Sequence, residues 1–122
     1  MTPYLYYEDL PAAIQWLADT FGFEECERMS DDTGKLMHAE MRLGDQLVMM
    51  GWPGPDYHNP KHKDYRHGCV YVIADPVDVH YERAKTAGAE ITQELKDQAY
   101  GHRNYAASDP EGHLWYFGQP SR

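Results

Sequence analysis

The chain has 122 residues, enough to bury one compact core and too few for two ordinary domains. Hydrophobic residues at 42% and charged residues at 25% exclude a disordered chain, and no apolar run approaches membrane-spanning length. Eleven Lys and Arg against twenty Asp and Glu give a formal charge of −9, which argues against nucleic acid and favours cationic ligands through long-range attraction.

The first elements follow from local pattern. Tyr4 to Glu8 is an aromatic run suited to a strand. Asp9-Leu10-Pro11 opens a helix, with Pro in its first turn. Ile14, Leu17, Ala18 and Phe21 supply the apolar stripe, and Gly22 stands where a left-handed cap ends it. Phe23 to Ser30 reads as a strand and Asp31-Asp32-Thr33-Gly34 as a turn. Lys35 to Leu43 alternates, with Met37, Ala39, Met41 and Leu43 on one face. Gly44-Asp45 turns the chain into a further strand, Gln46 to Met50. Gly51 to Arg66, with Pro53, Gly54, Pro55 and Pro60, is the linker candidate.

The pattern then repeats. Cys69 to Ala74 is a strand, and Asp75-Pro76 reads as an N-cap followed by a first-turn proline. Val77, Tyr81, Ala84 and Ala87 form the helical stripe, Gly88 ends it, and Ala89 to Leu95 is a strand. Asp109-Pro110-Glu111-Gly112 has the residues of a type I turn between two aromatic-rich strands, a β-hairpin. Asp9 to Gly22 and Asp75 to Gly88 each span thirteen positions, and Glu24 and Glu90 follow two residues later. The chain therefore carries an internal repeat of order βαβββ at an offset of 66: module one 1–51, linker 52–66, module two 67–122.

The hairpin motif Tyr100-Gly101-His102-Arg103 followed by Asp109-Pro110-Glu111-Gly112-His113-Leu114-Trp115-Tyr116-Phe117 resembles the C-terminal hairpin of the vicinal-oxygen-chelate superfamily. That group includes glyoxalase I, fosfomycin-resistance transferases, extradiol dioxygenases and bleomycin-resistance proteins. The resemblance implies an α+β fold in which two βαβββ modules form a half-open barrel. Helices lie on its outer face and a ligand cavity on the concave side.

Strand alternation then sorts the side chains. If the turn pairs Asp109 with Gly112, Tyr105 lies opposite Tyr116 and Arg103 opposite Gly118. The resemblance puts Tyr116, where relatives carry a metal-binding glutamate, on the cavity face, which implies that Arg103, Tyr105, Leu114 and Tyr116 line the cavity while His113, Trp115 and Phe117 pack under a helix. Tyr4, Tyr6, Cys69 and Tyr71 face inward as well, and His38 and Glu40 share one strand face pointing the same way. Such a tyrosine array offers flat apolar faces with hydroxyl tips, suited to a planar organic ligand.

Metal-using relatives place His or Glu at four positions, which the resemblance maps to about Thr2, Met49, Cys69 and Tyr116. None is His or Glu, so no metal cofactor is expected, with His67 a weak candidate through a shifted register. His58, His62 and His67 cluster around the linker, where a loop could gather them. The leading expectation is a protein of the bleomycin-resistance kind, sequestering a small aromatic or cationic molecule such as an antibiotic without chemistry. The alternative is a lyase, isomerase or dioxygenase-type enzyme using one divalent metal, such as Zn, Ni, Mn or Fe. A homodimer is implied by the resemblance. Met1-Thr2-Pro3 leads straight into a strand and the two cysteines form no motif, so a cytoplasmic protein without a membrane or nucleic-acid partner is expected.

Overall fold

The computed structural model describes residues 1–63 and 68–121. In chain order the elements are β1 (Tyr4–Tyr6), α1 (Leu10–Phe21), β2 (Glu24–Ser30), β3 (Leu36–Leu43), β4 (Gln46–Gly51) and the short α2 (Pro60–Lys63). Then come β5 (Val70–Ile73), α3 (Val77–Thr86), β6 (Glu90–Asp97), β7 (His102–Ser108) and β8 (Leu114–Pro120). The strands form two separate four-stranded sheets, ordered β1-β4-β3-β2 and β5-β8-β7-β6. In each sheet the first strand of a βαβββ module runs parallel to its last, and the other pairings are antiparallel. The fold is α+β, an open arrangement with no closed barrel.

Helix α1 forms where its signals stand. The Asp9 carboxylate accepts from the Ala12 amide at 3.1 Å, and Gly22 closes the helix at φ +81 with its N–H on the Ala18 carbonyl. Leu10, Ile14, Leu17 and Phe21 are buried, each contributing about 1.5–3 kcal/mol by removal from water. The stripe does not stop at its own sheet. Phe21 packs against Trp115 and Phe117 of β8, with centroids 5.9 and 4.6 Å away. One core therefore joins both modules through the helix-facing sides of both sheets.

Module two also holds both ends of α1. Ahead of the helix, Glu111 accepts from the Glu8 and Asp9 amides at 2.6 and 2.9 Å and from the Asn59 side-chain amide at 2.9 Å. Asp109 accepts from the Tyr7 hydroxyl at 2.6 Å and the Trp115 indole at 3.1 Å. Burial first, then the negative charge of Asp109, holds the Tyr7 phenol far above its usual range. At the far end, Arg83 donates to the Ala18 carbonyl and His80 to that of Phe21, both oxygens in the helix's last turn.

Helix α3 departs from the expected start. The sequence suggests Asp75 as cap and Pro76 inside; instead Pro76 is the cap residue and the helix opens at Val77. The first amide finds its acceptor at long range, the buried Gln119 Oε1 of β8, 2.6 Å away. A partner from a distant strand replaces the local cap.

The hairpin register is also shifted by one. Gly112 N–H bonds Asp109 O as in a type I turn, but the closing pair is Asp109 with His113, whose carbonyl accepts from Asp109 N–H at 2.9 Å. Gly112 at φ +91 is the extra residue, a left-handed position that follows a type I turn in three-residue hairpin loops. Tyr105 accordingly lies opposite Phe117, and Arg103 opposite Gln119.

Two outcomes follow. Glu111→Ala strands two backbone amides and one side-chain amide, and is expected to cost about 2–4 kcal/mol in denaturant unfolding. His80 donates Nε2–H to the Phe21 carbonyl, and Nδ1 of the neutral ring accepts from the Tyr105 hydroxyl. Burial lowers its pKa, helped by Arg83 and opposed by the Phe21 carbonyl. The unfolded chain thus takes up a proton first, and stability is lost as pH falls below about 6.5. The unfolding midpoint is expected to drop between pH 7.5 and 5, with a smaller drop in His80→Phe.

Candidate functional site

The face of each sheet opposite the helices is its concave face. In the first sheet, pairing sets Tyr4 beside Met49, Tyr6 beside Gly51, His38 opposite Gly51 and Glu40 opposite Met49. The Tyr4 ring crosses Gly51, where a Cβ would stand 2.7 Å from its hydroxyl. That hydroxyl meets His38 Nδ1 at 2.8 Å, and His38 Nε2 meets Glu40 Oε2 at 3.0 Å. A carboxylate only accepts, so Nε2–H donates to Glu40, and Nδ1 of the neutral ring accepts from the Tyr4 hydroxyl. Tyr4, His38 and Glu40 form a directed relay. Tyr6 packs edge-on against Tyr4 and Tyr57. The Tyr57 phenol is pushed up to about 12, by desolvation first and then by the charges of Glu111, Glu8 and Asp109.

The second sheet repeats the device. Tyr71 lies in register with Tyr116, their rings parallel at 6.1 Å, and its hydroxyl passes over Gly118, where a Cβ would stand 2.2 Å away. Opposite Gly118 is the fully buried Asn104, whose amide nitrogen donates to the hydroxyls of Tyr71 and Tyr100 at 3.1 and 3.0 Å. Its carbonyl accepts from Gln93 and Gln98, while the Tyr71 hydroxyl reaches His102 Nδ1 at 2.9 Å. In both modules a first-strand tyrosine crosses a last-strand glycine, and the residue opposite that glycine holds its hydroxyl.

Of the residues singled out from sequence, Tyr4, Tyr6, His38, Glu40, Tyr71 and Tyr116 lie on concave faces. Two do not. Arg103 and Tyr105 are on the helix side, because Gly112 moves β7 by one residue. Arg103 pairs with Asp78 and Asp97, and Tyr105 is fully buried against Phe117 and Tyr81. Burial raises the Tyr105 phenol well above its usual range. Trp115 and Phe117 pack beneath α1 as expected, whereas His113 sits against Tyr7 and donates to the Tyr6 carbonyl. Cys69 is exposed just ahead of β5, and His67 lies outside the described residues.

His102, Asn104, Gln93, Gln98 and Tyr57 were not foreseen. The available signal was the spacing of Tyr4 to Tyr71 and Gly51 to Gly118, both 67 positions. Among the described residues, ring contacts leave two clusters, Tyr4-Tyr6-Tyr57-His38 and Tyr71-Tyr116-His102-Tyr100, with no contact joining them. Tyr4, Tyr6, Met29, Tyr71 and Ile73 are exposed on these faces.

Residues 3–117 match the family model of the Glyoxalase/Bleomycin resistance protein/Dioxygenase superfamily. The chain belongs to this superfamily. An uncharacterized protein of Mycobacterium tuberculosis (Rv0887c) is 31% identical over 127 residues, spanning 100% of this chain and 75% of that one. The crystal structure of TioX from Micromonospora sp. ML1 is 36% identical, covers 98% of this chain and 97% of its own, and has a TM-score of 0.79. A bleomycin-binding protein complexed with bleomycin shares the fold at TM-score 0.74, with 19% identity over 99% of this chain and 98% of that one.

The four positions to which the resemblance assigns metal ligands, about Thr2, Met49, Cys69 and Tyr116, carry neither imidazole nor carboxylate. A hydroxyl, a thioether and a phenol are poor ligands for a divalent ion, and one thiol does not make up a site. Met49 and Tyr116 instead sit beside Tyr4 and Tyr71 as apolar and aromatic floor.

The glycines are expected to be as restrictive as the tyrosines. Gly118→Ala forces Tyr71 off its seat and should cost about 1–3 kcal/mol in thermal unfolding. Tyr71→Leu in the same chain should return part of that loss.

Proposed function

We propose that the chain binds a small planar aromatic or cationic molecule against its tyrosine-lined concave faces, without metal and without chemistry. The observation that carries this reading is that Tyr4 and Tyr71 are exposed yet fixed, each hydroxyl tied down and each ring lying over a glycine. Rings ordered before binding lose little entropy when a flat ligand stacks on them. The charge of −9 adds long-range attraction for a cation. Bleomycin bound by a protein of the same fold supports an organic ligand for this one.

Among the described residues the two aromatic clusters of one chain do not meet, and each leaves apolar surface bare. A second copy placing its module two over module one would cover both faces and complete two equivalent clefts. The functional form in this reading is a homodimer.

A second reading rests on the Tyr4–His38–Glu40 relay, which has the donor order of a general base acting through a phenol. In it the chain moves a proton on a carbonyl substrate, as a lyase or isomerase does.

Calorimetric titration with bleomycin and with a planar aromatic cation such as ethidium separates the readings. Saturable binding is expected, weakened about tenfold or more by Tyr71→Ala and by Tyr116→Ala, about 1.4 kcal/mol or more. Arg103→Ala should leave affinity unchanged, since its guanidinium faces Asp78. Absence of binding to either probe, with turnover of a dicarbonyl thiohemiacetal that His38→Ala abolishes, would replace sequestration with catalysis.

A further inference from the structure

We infer that Glu8, His58 and His62 form a binding site for a borderline transition metal ion, Zn2+ or Ni2+, built from groups other than those of the concave faces. His58 and His62 flank Asn59-Pro60-Lys61, and the turn into α2 brings their rings to a centroid distance of 5.6 Å. His62 Nε2 stands 2.9 Å from Glu8 Oε2. One donor atom from each of the three residues lies within 4.8 Å of the other two. Tetrahedral donors on bonds of about 2.0–2.2 Å stand about 3.3–3.5 Å apart, so small side-chain rotations close the set. Two imidazoles and one carboxylate suit Zn2+ or Ni2+, whereas Mg2+ and Ca2+ prefer oxygen throughout.

The carboxylate is already oriented. Glu8 Oε2 accepts from the Asn59 amide at 2.9 Å, and the Glu8 amide is held by Glu111. A second observation is independent of the ligand set. Asn59, between the two histidines in sequence, is 5% exposed, and its Oδ1 is buried with no hydrogen-bond partner. The amide cannot flip to hide that oxygen, because Nδ2 is needed to donate to the Glu111 carboxylate. Water on a metal is a strong donor, and a buried acceptor beside the ligands is suited to receive it. His58 and His62 are exposed, which leaves the ion an entry path. A bound ion would tie the linker to the turn ahead of α1, the same turn that Glu111 of module two grips.

The test uses the untagged full chain, stripped with a chelator and titrated calorimetrically with Zn2+ and with Ni2+. One equivalent per chain is expected, and the unfolding temperature should rise with metal concentration. Affinity should fall about tenfold or more in His58→Ala and, separately, in His62→Ala, and stay unchanged in His38→Ala. Far-UV circular dichroism checks that each variant is folded, and both exposed histidines can be replaced without opening the core. No saturable binding overturns the proposal, as does binding that survives both linker variants. Binding lost only in His38→Ala would place the ion on the concave face and overturn it too.

Discussion

Helix α1 belongs to module one, yet groups of module two satisfy the backbone at both of its ends. Glu111 gathers the amides ahead of it, and His80 and Arg83 donate to the carbonyls of its last turn. Helix ends left unsatisfied in a buried setting are costly, so this exchange fixes how the two modules sit. The aromatic stack of Phe21, Phe23, Trp115 and Phe117 fills the space between those anchor points. Apolar burial supplies most of the stabilisation, and the hydrogen bonds at the two ends select one arrangement among many that would bury similar area.

With the helix side occupied by the shared core, each sheet keeps its other face open. The bare faces carry tyrosines seated over Gly51 and Gly118. A side chain at either glycine would lift the ring, and without the polar residue opposite, the hydroxyl would lose a hydrogen-bond partner. His38 fills that place in one module and Asn104 in the other. The substitution makes the two halves chemically unequal. One carries a relay ending on a carboxylate, and the other a neutral amide network closed by Gln93 and Gln98. A ligand lying across both kinds of face would meet an acidic wall and a neutral one.

The single-residue shift of β7 shows how a side chain's role turns on a turn. Pro110 and Gly112 mark the loop equally well for a two-residue or a three-residue closure. The choice rests on whether the glycine adopts a left-handed conformation outside the ladder, and it does. Because strand side chains alternate, that one residue exchanges Arg103 and Tyr105 for His102 and Asn104 on the concave face.

The sequence by itself determined the order of elements, the repeat, the stripe of α1 and the inward faces of β1, β3 and β8. Those rest on local periodicity and on caps such as Asp9 and Gly22, which act within a few residues. Tertiary structure decided the rest. The start of α3 depends on Gln119, 42 positions beyond Val77, and the buried roles of Asp109 and Glu111 depend on a hydroxyl and two amides more than 100 positions earlier. The grouping of Glu8 with His58 and His62 is likewise set by where α2 meets the turn ahead of α1. Contacts between residues so far apart leave no periodicity in the chain, because their geometry exists only once both modules are packed.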